Sequence, residues 1–289
     1  MTAAGLPARL HRLLGGTVTG VTDLGASHEW TLHKATLTGE PAGERTVFVK
    51  ASARGGGVFE AEAAGLWWLG EAAGGAPVPE VLAVDDTTLV LSWLPTEAAT
   101  PGSAERFGRE LAAVHAAGAD SFGAPWPGFI AELPLDNTPA GAWPEWFAAR
   151  RLLPFLHAAR GALSADDVRL VERVIENVAA LAGPAEPPSR IHGDLWSGNV
   201  LWSGGRGWLI DPAAHGGHRE TDLAMLALFG APYLDRIIAA YDEATPLADG
   251  WRERVPLHQL HPLLVHVALF GGGYRAGTVA AAESALASL

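Results

Sequence analysis

The sequence predicts an α+β chain in two parts: a small antiparallel β lobe with one packed helix over residues 1–95, and a larger, mainly helical lobe over residues 96–289. Three observations lead there. A chain of 289 residues lies near the length at which one core splits into two. β-Branched, partly alternating segments crowd its first third, and past Pro95 the apolar residues recur at helical spacing.

Taken in order, "LPARLHRLL" (6–14) spaces its leucines as a short opening helix does. "TVTGVTDLGASHEWTLHKATLTG" and "ERTVFVKAS" read as three antiparallel strands, separated by Gly turns and the "TGEPAGE" loop. From Phe59, "FEAEAAGLWWLGEAAG" is a helix stopped by its glycines, and "APVPEVLAVDDTTLVLSWLPTE" holds two more strands around an Asp85-Asp86 turn. The large lobe offers helices in "SAERFGRELAAVHAAG", "PEWFAARRLLPFLHAA" and "SADDVRLVERVIENVAALAG", the last opened by Ser164 as N-cap. Between the first two runs a Trp/Pro-rich loop, 121–144, and beyond the third the run 190–230 reads as loop, hairpin, loop and helix. From Trp251 the chain is helical again.

Composition narrows the function. With 48% hydrophobic and 18% charged residues, no long segment is forced into disorder. Twenty basic against 32 acidic residues give a net charge of −12, which repels nucleic acid and anionic membrane and welcomes an amine-bearing substrate. There is no cysteine, so disulfides, thiolate metal sites and cysteine nucleophiles are excluded; this fits a cytoplasmic protein. The N-terminal stretch lacks the apolar core of a secretory signal, and no later run is apolar enough to span a bilayer.

The chemistry concentrates in "IHGDLWSGNVLW". His192, Gly193 and Asp194, followed by Asn199, match the Asp-to-Asn spacing of a kinase catalytic loop with Gly replacing Arg. In phosphoryl transfer that Asp takes the acceptor hydroxyl proton while the Asn binds magnesium. Asp211, twelve residues on, suits a second metal carboxylate delivered by a hairpin's far strand, though it heads Asp-Pro-Ala rather than Asp-Phe-Gly. Lys50 ends the strand "TVFVK", and Glu62 lies on the next helix, the pairing that fixes ATP phosphates in kinases. Glu60 and Glu71 are the competing glutamates.

Together "HGDLWSGN", "FVK" before "FEAEA", and "DPAAHGGHRETDLAM" resemble the fructosamine kinase family, relatives of the aminoglycoside phosphotransferases within the protein-kinase-like fold. The likeness spans nearly the whole chain, through "FGRELAAVHAAG", "FGAPWPGF" and "LHQLHPLLVHVALFGGGYR". It implies a bilobal fold and an ATP- and Mg2+-dependent kinase acting on ketosamines, free or on glycated proteins, in a deglycation step. By the same resemblance Asp194 is the base, Asn199 and Asp211 hold magnesium, and Lys50 with Glu62 sets the phosphates. Ser92, Trp93 and Leu94 form the adenine hinge, and Gly25, Ala26, Ser27 and His28 form the phosphate loop, which has one glycine where the family commonly has several. His192 stands within the catalytic loop, and Asp222 resembles the buried carboxylate that supports it.

For the acceptor, Trp196 borders the sugar side or packs in the core. His215 and His218 orient the substrate or the metal loop, and Asp136, Asn137 and Trp146 are pocket candidates from the long loop. Other readings stay open. The acceptor could be an aminoglycoside, amino alcohol or free sugar, or the chain a nucleotide-binding pseudokinase scaffold. A binuclear phosphoesterase would leave the strand Lys and helix Glu without a role. Zinc at His215, His218 and Asp211 would need a further convergent ligand, and His258 and His261 repeat only the spacing.

Overall fold

The computed structural model describes residues 5–27, 29–39 and 43–289. His28, assigned above to the phosphate loop, lies outside the described residues.

The small lobe is a five-stranded antiparallel sheet: β1 (Thr17–Ser27), β2 (Trp30–Gly39), β3 (Gly43–Ser52), β4 (Val81–Asp85) and β5 (Thr88–Ser92), in the order β1-β2-β3-β5-β4. Strand alternation divides its two faces. Ala35, Leu37, Val47, Val49 and Val90 bury one face against Leu6 and Leu10 of α1 (Leu6–Leu14). Trp30, Leu89 and Leu91 bury the other against Phe59, Ala63 and Leu66 of α2 (Val58–Gly70). Lys50 pairs across the ladder with Leu89, so it shares the α2 face, while its neighbour Val49 points to α1. The register thereby aims one buried amine at one helix.

In the large lobe, α3 (Pro101–Ala116) starts with a capping box in which Thr100 and Ser103 satisfy each other's backbone N–H groups. It packs on α8 (Leu234–Ala244), where a Cβ on Gly108 would stand 2.2 Å from Ile237 O; only glycine lets these backbones approach so closely. Next come α4 (Trp143–Phe147), a π-turn at Ala148–Leu152 and α5 (Leu153–Ala159). After them α6 (Ala165–Leu181) is capped reciprocally by Ser164 and Asp167. The helices α7 (Glu220–Phe229), α9 (Trp251–Phe270) and α10 (Arg275–Leu286) complete it. Leu69 of α2 belongs to the same core as Phe107, Leu111 and Leu195, so this helix is held by both lobes.

Three two-stranded ribbons carry the loops: β6 (Gly128–Ile130) with β7 (Leu133–Leu135), β8 (Ser189–Ile191) with β11 (His215–Gly217), and β9 (Val200–Ser203) with β10 (Arg206–Leu209). The sequence anticipated the last of these. The first lies within the segment read as loop, and the pairing of β8 with β11 joins two stretches also read as loop; three-residue strands are too short to show a period. Helix α8 was likewise not anticipated. No helix among the described residues is long and apolar enough to cross a membrane.

Candidate active site

Three of the side chains singled out in the sequence meet where the lobes face each other. Lys50 Nζ lies 2.9 and 2.8 Å from the two Glu62 oxygens and 2.7 Å from Asp211 Oδ1. Glu60 and Glu71, the competing glutamates, are exposed. Burial by itself would pull the Lys50 ammonium down; the Asp211 and Glu62 carboxylates outweigh it, and Lys50 is held above the ordinary lysine value, fully charged.

The catalytic-type loop leaves β8 at Ile191 and is fixed by its own backbone. Asp222, wholly buried at the start of α7, accepts from His192 N at 2.8 Å, from Gly193 N at 3.0 Å and from His115 Nε2 at 3.1 Å. His192 Nε2 donates to Ile210 O at 2.9 Å, so its Nδ1 accepts from Asp194 N at 3.2 Å. Gly193 has φ +81°, and a Cβ there would lie 2.4 Å from Ala213 O. That contact gives a physical reason for glycine where the kinase pattern has arginine. Asn199 Nδ2 then donates to Asp194 O at 2.8 Å and to Asp194 Oδ2 at 3.0 Å, and Ile210 N donates to Asn199 O at 3.1 Å, which sets Asp211 beside it.

Burial, and after it the nearby Asp211 charge, push the Asp194 carboxyl well above the usual carboxylate range despite the Asn199 bond. A carboxylate so placed is a stronger proton acceptor than a solvated one. With its amide nitrogen committed to Asp194, Asn199 has its carbonyl oxygen left to offer. That oxygen and the half-exposed Asp211 carboxylate form a hard donor set suited to Mg2+.

These groups open on a cavity of about 380 Å³. Glu62, Asp194, Asn199 and Asp211 line its polar side, and Trp126, Trp196, Phe229, Phe270 and Tyr274 its aromatic side. Trp196 is 41% exposed, and its ring meets Phe229 edge-on at 6.4 Å. Gly198 leaves room for that ring, since a Cβ there would fall 2.2 Å from it. An open indole face at a polar cavity can pack on the C–H face of a sugar.

Ser27 also lines the cavity. Gly25 follows a bulge in β1 with φ +104°, its N–H donating to Asp23 Oδ1 at 2.8 Å, and Ala26 continues the β2 ladder opposite Thr31. Ser92 ends β5, bonded to Glu80; Trp93 receives the Lys34 ammonium at 4.5 Å; Leu94 is half-buried beyond the strand.

Asn137, Trp146, His215 and His218 are all buried and are not among the cavity-lining residues. His215 packs on Trp146 at 5.3 Å, and Arg151 lies over the same indole at 4.2 Å and donates to Asn137 Oδ1 at 2.6 Å. Asp136 pairs with the Arg150 guanidinium. His218 gathers instead with Glu220 and His258, the one grouping among the described residues whose atoms could share a metal. Arg254 already engages both Glu220 oxygens, at 2.9 and 2.6 Å, and puts a positive charge where a cation would sit.

Burial, reinforced by Arg151 for His215 and by His258 for His218, holds each of these imidazoles at about 3, neutral in the fold. Unfolded, each would take a proton near pH 6.5, so the unfolded state binds more protons below that pH and stability falls as pH drops toward 3. The expected slope is roughly 1.4 kcal/mol per pH unit for each imidazole. Thermal unfolding followed from pH 7 to 4 checks this; a flat profile between pH 6 and 4 contradicts it.

Sequence reasoning had not singled out Trp126, Phe129, Phe229, His266, Phe270 or Tyr274 as lining residues. The Trp/Pro-rich loop was noticed, but within it Asp136, Asn137 and Trp146 were favoured over Trp126 and Phe129, which reach the cavity.

The solved structure of a candidate fructosamine-3-kinase from Thermobifida fusca matches with a TM-score of 0.94 at 54% identity, covering 99% of this chain and 100% of that one. A thermostable mutant of an aminoglycoside phosphotransferase, solved with ADP and hygromycin B, shares the fold at a TM-score of 0.61 and 16% identity, over 97% of this chain and 98% of that one. A probable ketoamine kinase of Thermus thermophilus is 37% identical over 218 residues, 75% of this chain and 79% of that protein. The fold and these relatives define a phosphotransferase of the bilobal, protein-kinase-like class. The family model for fructosamine kinase matches residues 22–288. The chain belongs to the fructosamine kinase family.

Proposed function

We propose that this chain transfers the γ-phosphoryl of ATP to a hydroxyl of a fructosamine or ribulosamine, at the third sugar carbon, as a deglycation step in the cytoplasm. The amine part is a small metabolite or a lysine of a glycated protein. One observation carries the reading: Asp194 shares a cavity with the open Trp196 face and lies beside Asn199, Asp211 and the Lys50–Glu62 pair.

In the step, Asp194 takes the acceptor's O–H proton as the new O–P bond forms and the bond from the γ-phosphorus to the bridging oxygen breaks, releasing ADP. Lys50, oriented by Glu62, holds the nucleotide phosphates, Ser27 and its neighbours cover them, and residues 92–94 meet the adenine. Mg2+, held by Asn199 and Asp211, would neutralise phosphate charge. Trp196 receives the sugar face, while the cavity carboxylates favour the protonated amine of a ketosamine.

The test is ADP release with ATP and Mg2+ against a fructosamine, a ribulosamine, an aminoglycoside and choline. Turnover of a ketosamine at a kcat/KM at least about 100-fold above the others is expected, a margin of the size a site built for one acceptor's polar groups provides. Turnover confined to another acceptor discards the substrate and keeps the mechanism; nucleotide binding without turnover discards both.

A further inference from the structure

We propose that Trp126 and Trp68 are positioning residues that couple occupancy of the acceptor cavity to the nucleotide-fixing Lys50–Glu62 pair. The inference rests on the reading that the acceptor binds in the cavity bordered by Trp126.

Trp126, just before β6, lines that cavity and sets its ring edge-on to Trp68 of α2, at 5.4 Å and 70°. Three residues on, within β6, Phe129 reaches the start of α2, 4.0 Å from where a Gly57 Cβ would be. The acceptor wall thus touches α2 at both ends, and Glu62 lies between the two contacts. Trp68 is held from the large lobe as well. The Arg190 guanidinium lies 4.5 Å from its ring and donates to its carbonyl oxygen, and Arg190 stands on β8 two residues before His192. Acceptor wall, glutamate helix and catalytic strand therefore converge on one indole.

The wall itself is braced from behind. Asn137 Nδ2 donates to Trp126 O at 3.4 Å, and Arg151 Nη2 donates to Asn137 Oδ1 at 2.6 Å. An acceptor seated against Trp126 and Phe129 presses on a hairpin that cannot retreat, and the load passes to Trp68. The expected result is a narrower range of positions for α2, hence for Glu62 and for the amine it orients. By reciprocity, nucleotide binding tightens the acceptor site by the same factor. Simple packing of the two indoles predicts a different outcome: lost stability with ligand coupling intact.

The test measures the dissociation constant of MgADP with and without fructosyl-lysine in wild type, Trp68→Leu, Trp126→Ala and Trp126→Phe. Wild type should gain about fivefold or more in nucleotide affinity from the acceptor, the lower end of ordinary coupling. In Trp68→Leu and Trp126→Ala the gain should fall below about twofold, and Trp126→Phe, which keeps a ring edge, should recover it. Full coupling in Trp68→Leu, or none in a wild type that turns fructosyl-lysine over, overturns the proposal. A wild type that does not turn it over counts against the ketosamine reading instead, and the coupling is then measured with whichever acceptor is turned over. Hydrogen exchange needs no acceptor: Trp126→Ala should speed exchange of amides 62–68 about tenfold while β2 and β3 keep their rates, and unchanged exchange in α2 also overturns the idea.

Discussion

Asp194→Ala is expected to lower kcat by on the order of 10²–10⁴-fold while the KM for ATP stays within a few-fold. In the proposed step its carboxylate acts on the acceptor proton as the new bond forms, so its loss should fall on the transition state rather than on binding. The loop should survive the change, because Asn199 Nδ2 keeps its 2.8 Å bond to the Asp194 carbonyl when the side-chain bond is lost. Steady-state ADP release beside a circular dichroism melt separates chemistry from folding. A folded variant that retains more than about a tenth of wild-type kcat would remove Asp194 from the role of base.

Asp222→Ala should be the most damaging single change to the fold of the site. The carboxylate is fully buried and answers three donors: His192 N–H, Gly193 N–H and His115 Nε2, whose ring also bonds Tyr241 Oη at 2.8 Å. Truncation leaves these donors in a dry interior, with an expected cost of about 3–5 kcal/mol. For a chain of this size that lowers the unfolding midpoint by on the order of 10 °C. kcat should fall as well, since the backbone that presents Asp194 loses its anchors. A midpoint within about 2 °C of wild type would show that Asp222 does not hold the loop.

How much could be read from residues alone depended on how local the signal was. The five-stranded sheet, α2 and the capped α6 announced themselves through alternation, Gly stops and a Ser N-cap, all local in sequence. The pairing of Lys50 with Glu62 needed only a strand followed by a helix. Asp222 came from likeness, since nothing nearby says that a carboxylate at residue 222 will reach backbone at residues 192 and 193. Apart from Trp196, the aromatic wall was not read in advance because its parts come from three separate stretches: Trp126 with Phe129, Phe229, and Phe270 with Tyr274. His215 and His218 misdirect for the opposite reason. They stand close in sequence to Asp211, yet β11 turns His215 against Trp146, and His218 lies beside Trp143 and His258.

Asp211 has φ +54°, a conformation that Asp and Asn visit more readily than other side-chain-bearing residues, and that glycine adopts freely. Its position is therefore filtered twice, once by backbone shape and once by charge, and Asp alone passes both filters. Glutamate would keep the charge and strain the turn, whereas asparagine or glycine would keep the turn and lose the carboxylate. A lineage released from selection for catalysis should drift first to Asn or Gly at this residue, with the rest of the chain still well folded. With the proposed metal role, such a descendant would be silent as an enzyme for a reason visible in a single codon.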